Sequence, residues 1–339
     1  MIDIHTHLYM PQFDEDRDEV IKRAFDAGIT MMISVSTEPT DHLQAIAITE
    51  KDERIFASVG LHPHYFNQQI THNNKQLTIN NKQTTSSDGH PEYSRLRVAS
   101  SFSGGARISD SSAAVGMIQR EVFASTQEQL IKDIDELRAL AQKNPKIIAI
   151  GECGLDYFSH TDEPITDEQK AWQKEGFGAQ IGLAHELLLP VIIHCRNAYE
   201  DVFEILRQAQ NDNARTSCDT VYILHCYMGD TEVTQKFLAL PNVFFSFTGN
   251  ITYSVKKALE GTKDDIRETV KMIPIERLLM ETDCPFLAPM PHRGKRNEPR
   301  FVAEVGKKIA QIHECSVSDI TETMERNLDR IFILPKSMV

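Results

Sequence analysis

Six residues with side chains that commonly bind metal ions are spread along this 339-residue chain. They are four imidazoles and two carboxylates: His5, His7, Glu152, His194, His225 and Asp283. This set is too large for one tetrahedral or octahedral ion that must also hold water and substrate. It suits two adjacent ions that share a bridging carboxylate. The residue types therefore predict a two-metal centre.

The spacing of these residues indicates a role for each. His5 and His7 are two positions apart on a predicted strand, so both side chains leave the same face and can bind one ion together. Glu152 is the candidate bridge between the ions. Asp283 is the candidate that binds one ion and accepts a proton from the attacking water. Ions about 3.5–4 Å apart stabilise the entering and leaving oxygens of an in-line displacement at phosphorus.

Each residue taken alone has an ordinary structural explanation. A single histidine at a strand end is more often a hydrogen-bonded structural residue than a ligand. Glu152 or Asp283 could cap the helix that follows it. Their joint occurrence at the ends of five separate strands favours the metal centre.

Eight short apolar runs alternate with helix-like stretches, which is typical of parallel strands joined by crossover helices. The sequence therefore predicts an α/β fold, a closed (β/α)8 TIM barrel, in which the carboxyl ends of all strands meet at one face. The predicted helices include Asp14 to Ala27, Gln127 to Gln142, Asp167 to Leu189 and Asn197 to Gln208. The predicted strands are Ile2 to His7, Ile29 to Val35, Ile55 to Gly60, Ile147 to Gly151, Val191 to His194, Val221 to His225, Val243 to Thr248 and Leu278 to Asp283.

Residues 67–126 interrupt this alternation after the third strand. The segment is rich in Asn, Gln, Ser, Thr and Gly and lacks sustained periodicity. We expect residues 1–339 to form one hydrolase barrel, with residues 67–126 as a flexible insertion at its rim. The alternative is that local structure is misplaced there, above all in Ser101 to Val122.

Five further residues are candidates for substrate contact. His62 and His64 follow the third strand, and each could bind a metal ion directly, touch a substrate phosphate, support a metal ligand or simply pack. Arg196 shares the face of His194 and offers a forked donor to phosphate, with a helix-capping salt bridge as the alternative. Arg293 and Arg296 lie in a basic loop after the last strand, where barrels commonly bind phosphate; a solvated charge run is the alternative.

The overall charge limits how a polyanion could bind. With 36 basic and 49 acidic side chains, the net charge is −13, so a broad cationic surface is excluded. Metal ions and a few local arginines must attract any nucleic acid. No stretch is long and apolar enough for a membrane span, and no signal-peptide core is evident, so we expect a cytoplasmic protein.

Four of the six cysteines directly follow predicted ligands, and none belongs to a CxxC pair. The period of two along a strand turns these side chains away from the metal ions, so we expect reduced thiols that fill the core. They are Cys153, Cys195, Cys226 and Cys284.

The chain resembles the TatD family of metal-dependent deoxyribonucleases, within the amidohydrolase-like barrel group. The matching segments are Ile2 to His7, Gly60 to His64, Gly151 to Tyr157, His194 to Arg196, His225 to Gly229, Glu281 to Leu287 and Arg293 to Pro299. The resemblance implies a monomer with two divalent ions (Mg2+, Mn2+ or Zn2+) that hydrolyses DNA in the 3′ to 5′ direction, from single-stranded or 3′ ends. The family's ligands fall on the same six residues. Asn197 departs from the family pattern, which usually has an acidic residue there.

Two other functions stay open from the sequence. Related barrels hydrolyse amides, lactones or esters, including aminoacyl-tRNA esters. Those with paired metals commonly use a carboxylated lysine on the fourth strand, where this chain has Glu152, and this favours phosphodiester cleavage. A metal-holding scaffold without activity is the third interpretation, and the intact ligand set argues against it.

Overall fold

The computed structural model describes residues 1–70, 111–159, 161, 163–213, 220–254 and 265–334. Eight parallel strands form one sheet in which each strand pairs with the next along the chain. The strands are β1 (Ile2–Thr6), β2 (Met31–Val35), β3 (Ile55–Val59), β4 (Ile147–Asp156), β5 (Val191–Arg196), β6 (Tyr222–Leu224), β7 (Val243–Phe247) and β8 (Leu278–Met280).

Helices alternate with these strands. They are α1 (Arg17–Asp26), α2 (His42–Ile48), α3 (63–70), α4 (Ser111–Lys143), α5 (Asp167–Leu187), α6 (Tyr199–Asn213), α7 (Thr231–Leu238), α8 (Ile266–Met272), α9 (Val302–Ile312) and α10 (Val317–Ile331). Local sequence explains several boundaries. Thr166 and Gln169 form a reciprocal capping box at the start of α5, and Ser316 and Asp319 do the same for α10.

The core lies where the sheet meets the helices. All residues of β1, β2 and β3 are buried, as expected for strands that are covered on both faces. The surrounding helices bury one stripe each. In α9 the buried positions Val302, Val305 and Ile309 recur at helical spacing, so one face packs inward.

The first and last strands meet and close the sheet. Thr6 forms a parallel bridge with Cys284. The His7 amide donates to the Cys284 carbonyl at 2.9 Å, and the Asp283 amide donates to the His5 carbonyl at 3.0 Å. The predicted (β/α)8 barrel is therefore confirmed.

Several predicted boundaries differ from the structure. Strand β4 continues to Asp156 instead of ending at Gly151, whereas β8 ends at Met280, before Asp283. Helix α4 begins at Ser111 instead of Gln127. Apolar periodicity is weak before Gln127, so the sequence pattern did not reveal this part of the helix.

The chain forms two compact units. One consists of residues 1–67 and 133–339 and contains the barrel, and the other consists of residues 68–132. The flexibility predicted for residues 67–126 stays a prediction, because residues 71–110 lie outside the described residues. Among the helices that the structure describes, none has the length and apolar composition to cross a bilayer.

Candidate metal centre

The structure brings all six predicted ligands together at the carboxyl ends of the strands. Glu152 and His194 lie within β4 and β5, and the other four lie at or just beyond the ends of β1, β6 and β8. Their donor atoms, together with that of His62, form three overlapping clusters, and within each cluster the ligand atoms lie within 4.8 Å of one another. The clusters are His5, His7 and Asp283; His5, Glu152 and His225; and His62, Glu152 and His194.

Glu152 lies between two sets of imidazoles. Its Oε2 atom is 3.3 Å from His5 Nε2 and 3.9 Å from His7 Nε2. Its Oε1 atom is 2.9 Å from both His194 Nδ1 and His225 Nε2. One carboxylate oxygen thus faces each set, which is the arrangement that a bridging ligand requires.

The protonation of the imidazoles tests whether cations fit this centre. His7 Nδ1 lies 2.9 Å from the Val35 carbonyl, so in the neutral ring this nitrogen donates and Nε2 carries the lone pair. That lone pair faces Asp283 Oδ1 at 3.3 Å. In the neutral ring, two acceptors thus face each other, and a positive ion between them would satisfy both. The residues therefore fit a divalent cation.

His194 lies between two carboxylates on the other side of Glu152. In the tautomer whose Nε2–H donates to Asp156 Oδ2, 3.3 Å away, the Nδ1 lone pair is directed at Glu152 Oε1, 2.9 Å away, and a cation between them would satisfy both. A residue with a side chain at position 154 would prevent this approach, because its Cβ would collide with the His194 carbonyl oxygen. Gly154, with φ of 138°, lets β4 pass close to β5 at this point.

Burial and neighbouring charges shift the pKa values of Glu152 and Asp283 in opposite directions. Burial raises the pKa of Glu152, but the charges of His225 and His62 more than offset it, and the pKa lies well below the usual value. Burial also raises the pKa of Asp283, but without a metal ion a protonated His7 donates a hydrogen bond to this carboxylate and lowers the pKa overall. Both groups are therefore ionised at neutral pH and available as ligands.

Two carboxylates that orient the candidate ligands are not among the residues predicted from the sequence. Asp156 accepts from His194, and its Oδ2 lies 3.0 Å from His64 Nε2. Glu281 Oε1 lies 3.4 Å from His225 Nδ1, and its Oε2 accepts from the Ser246 hydroxyl at 2.7 Å. Such partners fix the orientation of metal-binding imidazoles. The signal for Asp156 was its spacing of four from Glu152, which places both side chains on one face of β4.

Asp3 ties the two ends of the barrel sheet together beneath the site. Its carboxylate accepts from the Thr282 amide at 2.8 Å and from the Thr282 hydroxyl at 2.5 Å. Complete burial raises the pKa of Asp3 to about 8. The residue thus positions the segment that precedes Asp283, and no sequence motif marked it.

The five predicted substrate contacts occupy different environments. His62 Nε2 lies 3.5 Å from Glu152 Oε1, inside the cluster, and His64 lies beside Asp156. Arg196 is stacked on Phe158 and Arg293 on Tyr253, with guanidinium-to-ring distances of 3.5 and 4.2 Å, and both arginines are exposed.

Arg296, by contrast, is engaged in ion pairs. It donates to both carboxylate oxygens of Asp16, at 2.7 and 2.8 Å, and lies 3.5 Å from Glu298. These acidic partners neutralise the guanidinium, so the observed role of Arg296 is to join separate segments of the chain. Its predicted contact with phosphate stays a prediction.

The cysteines next to the ligands pack into the protein. Cys153 and Cys284 are fully buried, and Cys195 and Cys226 are partly buried. Burial raises the pKa of the Cys226 thiol to about 12. The five described cysteines are free, and none belongs to a donor cluster of the described residues. These observations agree with their predicted role as core filler.

Comparisons with known proteins agree with this site. The sequence model of the family described as TatD related DNase matches residues 2–333. A metal-dependent hydrolase of Bacillus subtilis, YabD, is 32% identical, and the alignment covers 98% of each chain. The 3′-5′ ssDNA/RNA exonuclease TatD of Erwinia tasmaniensis is 29% identical, over 98% of this chain and 100% of that protein.

Solved structures share the fold. The crystal structure of a TatD homologue from Escherichia coli K12 superposes with a TM-score of 0.69, at 21% identity, over 99% of this chain and 98% of the other. An amidohydrolase from Saccharomyces cerevisiae also gives a TM-score of 0.69, at 18% identity, over 98% and 99% of the two chains. At these identities the likeness concerns the fold alone.

Proposed function

The chain belongs to the family of TatD-related DNases, and from this we propose that it is a two-metal nuclease that removes nucleotides from the 3′ end of single-stranded DNA. The observation that carries the proposal is the division of Glu152 between two imidazole sets, Oε2 toward His5 and Oε1 toward His225. A centre of this kind suits in-line displacement at phosphorus.

We assign the residues to two ions as follows. His5, His7 and Asp283 would hold one ion, His194 and His225 the other, and Glu152 would bridge them. When bound, such cations polarise a phosphoryl oxygen and make water a better nucleophile at neutral pH. The high share of imidazole favours Zn2+ or Mn2+ over Mg2+.

Asp283 is the proposed general base. Its carboxylate is ionised, and its side chain keeps 15% exposure, so part of it is open to solvent. In hydrolysis the water oxygen bonds to phosphorus, a water proton passes to Asp283, and the bond from phosphorus to the 3′ oxygen breaks. The 3′ oxygen takes up a proton from solvent, Asp283 returns its proton to solvent, and a nucleoside 5′-monophosphate is released.

Three features support a single-stranded end as the substrate. The relative in Erwinia tasmaniensis is named for action on ssDNA and RNA in the 3′ to 5′ direction. The metal-binding groups of Glu152 and His5 are almost fully buried, which favours a narrow chain end over a duplex. The net charge of −13 disfavours a long duplex, whose phosphates would need a cationic surface.

We propose His62, His64, Arg196 and Arg293 as the local contacts to phosphate, in a monomeric, cytoplasmic enzyme.

A nuclease assay tests the proposal. Chelator-stripped protein is reloaded with Zn2+, Mn2+ or Mg2+ and incubated with single-stranded DNA labelled at either end, beside a panel of lactones and esters. We expect metal-dependent release of mononucleotides from the 3′ end. Turnover of the lactones or esters without cleavage of DNA would reject the proposal and favour the other hydrolytic reaction.

A further inference from the structure

Two exposed phenylalanines flank the candidate metal centre. Phe286 is 45% exposed and Phe158 is 36% exposed, although the structure buries most large apolar side chains of its described residues. Single exposed apolar residues are common on protein surfaces, but aromatic rings that flank a site can bind a planar ligand and regain the free energy that their exposure to water costs. Their position relative to the reacting groups shows what they could bind.

Phe286 lies beside the proposed general base. Its ring centroid is 6.3 Å from that of His7, with the planes at 67°. Its backbone amide donates to the Asp283 carbonyl at 2.9 Å, and its carbonyl accepts from Asn297 Nδ2 at 2.6 Å. The backbone is therefore fixed next to the metal centre, while the ring remains open to solvent.

Phe158 lies on the other side of the site. Its amide donates to Asp156 Oδ1 at 2.9 Å, and the Arg196 guanidinium lies 3.5 Å above its ring. It follows β4, whereas Phe286 follows β8, and these strands are opposite each other in an eight-stranded barrel. The two rings thus approach the centre from opposite sides.

We propose that Phe286 stacks on the unpaired base next to the scissile phosphate and thereby determines specificity for single-stranded substrate, with the Phe158–Arg196 pair as the opposing contact. The inference rests on the proposed nuclease function. Stacking fits this acidic chain because it binds every base through its π-face and needs little cationic surface. A base in a duplex is already paired and stacked, so it could not use this contact.

The test compares variants on two oligonucleotides. One is ordinary 3′-labelled single-stranded DNA, and the other carries abasic residues at its two 3′-terminal positions. Phe286→Ala should lower kcat/KM on ordinary DNA about 5- to 150-fold, mainly through KM, and should have little effect on the abasic substrate. Phe286→Tyr should retain wild-type values on both.

The matched control is Leu188→Ala. Leu188 is 64% exposed and lies between α5 and β5, at the end of the barrel opposite the metal centre, so its loss should change neither substrate's kinetics. If Phe286→Ala fails to fold by circular dichroism, Phe286→Leu replaces it, since leucine keeps the apolar volume without the π-face.

Each outcome separates the inference from the function on which it rests. Unchanged KM in Phe286→Ala, or an equal loss on ordinary and abasic DNA, would overturn the stacking role while leaving nuclease activity intact. Wild-type protein that cleaves neither oligonucleotide with any metal would reject the nuclease function itself.

Discussion

Replacing Asp156 with asparagine should weaken metal binding about tenfold while the fold persists. Asparagine has nearly the same shape, so the main change is the loss of negative charge next to His194 Nε2, 3.3 Å away. A hydrogen bond to a charged group contributes about 1.5–3 kcal/mol and a neutral one about 0.5–1.5 kcal/mol. The difference is about 1–1.5 kcal/mol, and about 1.4 kcal/mol corresponds to a factor of ten.

The contact with His64 should add little to this effect, because His64 is not a proposed ligand. The expected loss therefore lies near the lower end of the roughly 10–100-fold range for groups that orient metal-binding imidazoles. Competition with a chromogenic chelator at neutral pH measures the affinity of each site. The site that contains His194 should weaken, and the site that contains His5 should not.

Asp41→Asn provides a matched control for Asp156→Asn. Asp41 is also buried, and it accepts hydrogen bonds from Tyr9 and Thr37, but it belongs to none of the three donor clusters. This variant should lose stability and keep the wild-type metal affinity. Unchanged affinity in Asp156→Asn, or the same loss in Asp41→Asn, would refute an orienting role for Asp156.

Four other predictions concern catalysis, metal content, pH and domain organisation. Asp283→Asn should keep the fold but lower turnover of single-stranded DNA by about 10²–10⁴-fold, the usual contribution of a general base, as measured by kinetics beside circular dichroism. Glu152→Gln should reduce the bound metal measured by elemental analysis, because the amide is a neutral ligand. A hydrogen bond from Arg296 lowers the pKa of Asp16 to about 2, so this contact stabilises the fold above about pH 4 and is lost as the pH falls toward about 2. Asp16→Asn should therefore lower the free energy of unfolding by about 1 kcal/mol at neutral pH, with solvent screening included, and the difference in urea denaturation should vanish in acid. Deleting residues 67–126 should leave a soluble, folded barrel by thermal unfolding.

Each of these expectations has a contrary result. Full activity in Asp283→Asn would remove it as the base, and wild-type metal content in Glu152→Gln would argue against a bridge. A stability difference for Asp16→Asn that persists in acid would show that packing, and not charge, holds the contact. An insoluble product of the deletion would show that the barrel needs residues 67–126.

The fold and the convergence of the six candidate ligands could be predicted because both follow from the pattern of apolar runs along the chain. Apolar runs of strand length end in His194, His225 or another polar residue, and parallel topology then brings strand ends together. The predicted barrel and the resemblance to the TatD family are both confirmed. The roles of the individual ligands stay predictions.

The orienting carboxylates could not be predicted in the same way. Glu281 follows β8 and faces His225 at the end of β6, two strands away in the sheet, so this contact depends on the tertiary register. The binding of Arg296 by Asp16 also joins distant segments, and a basic loop alone does not reveal it. The residue at which a strand ends could not be predicted either, since Asp283 reaches the site from the segment that follows β8.

The seam between the first and last strands has a consequence for how the protein matures. The backbones of His5 and Asp283 share a hydrogen bond where the first and last strands meet, and their side chains belong to one donor cluster. A cation bound there would therefore link the two ends of the barrel. During synthesis, His5 and His7 are made long before Asp283, so this cluster cannot form until nearly the whole chain exists. An ion that binds only the folded state adds to its stability. Metal binding would therefore indicate that the last strand has joined the barrel. Removal of the ion would first destabilise the contact between the first and last strands.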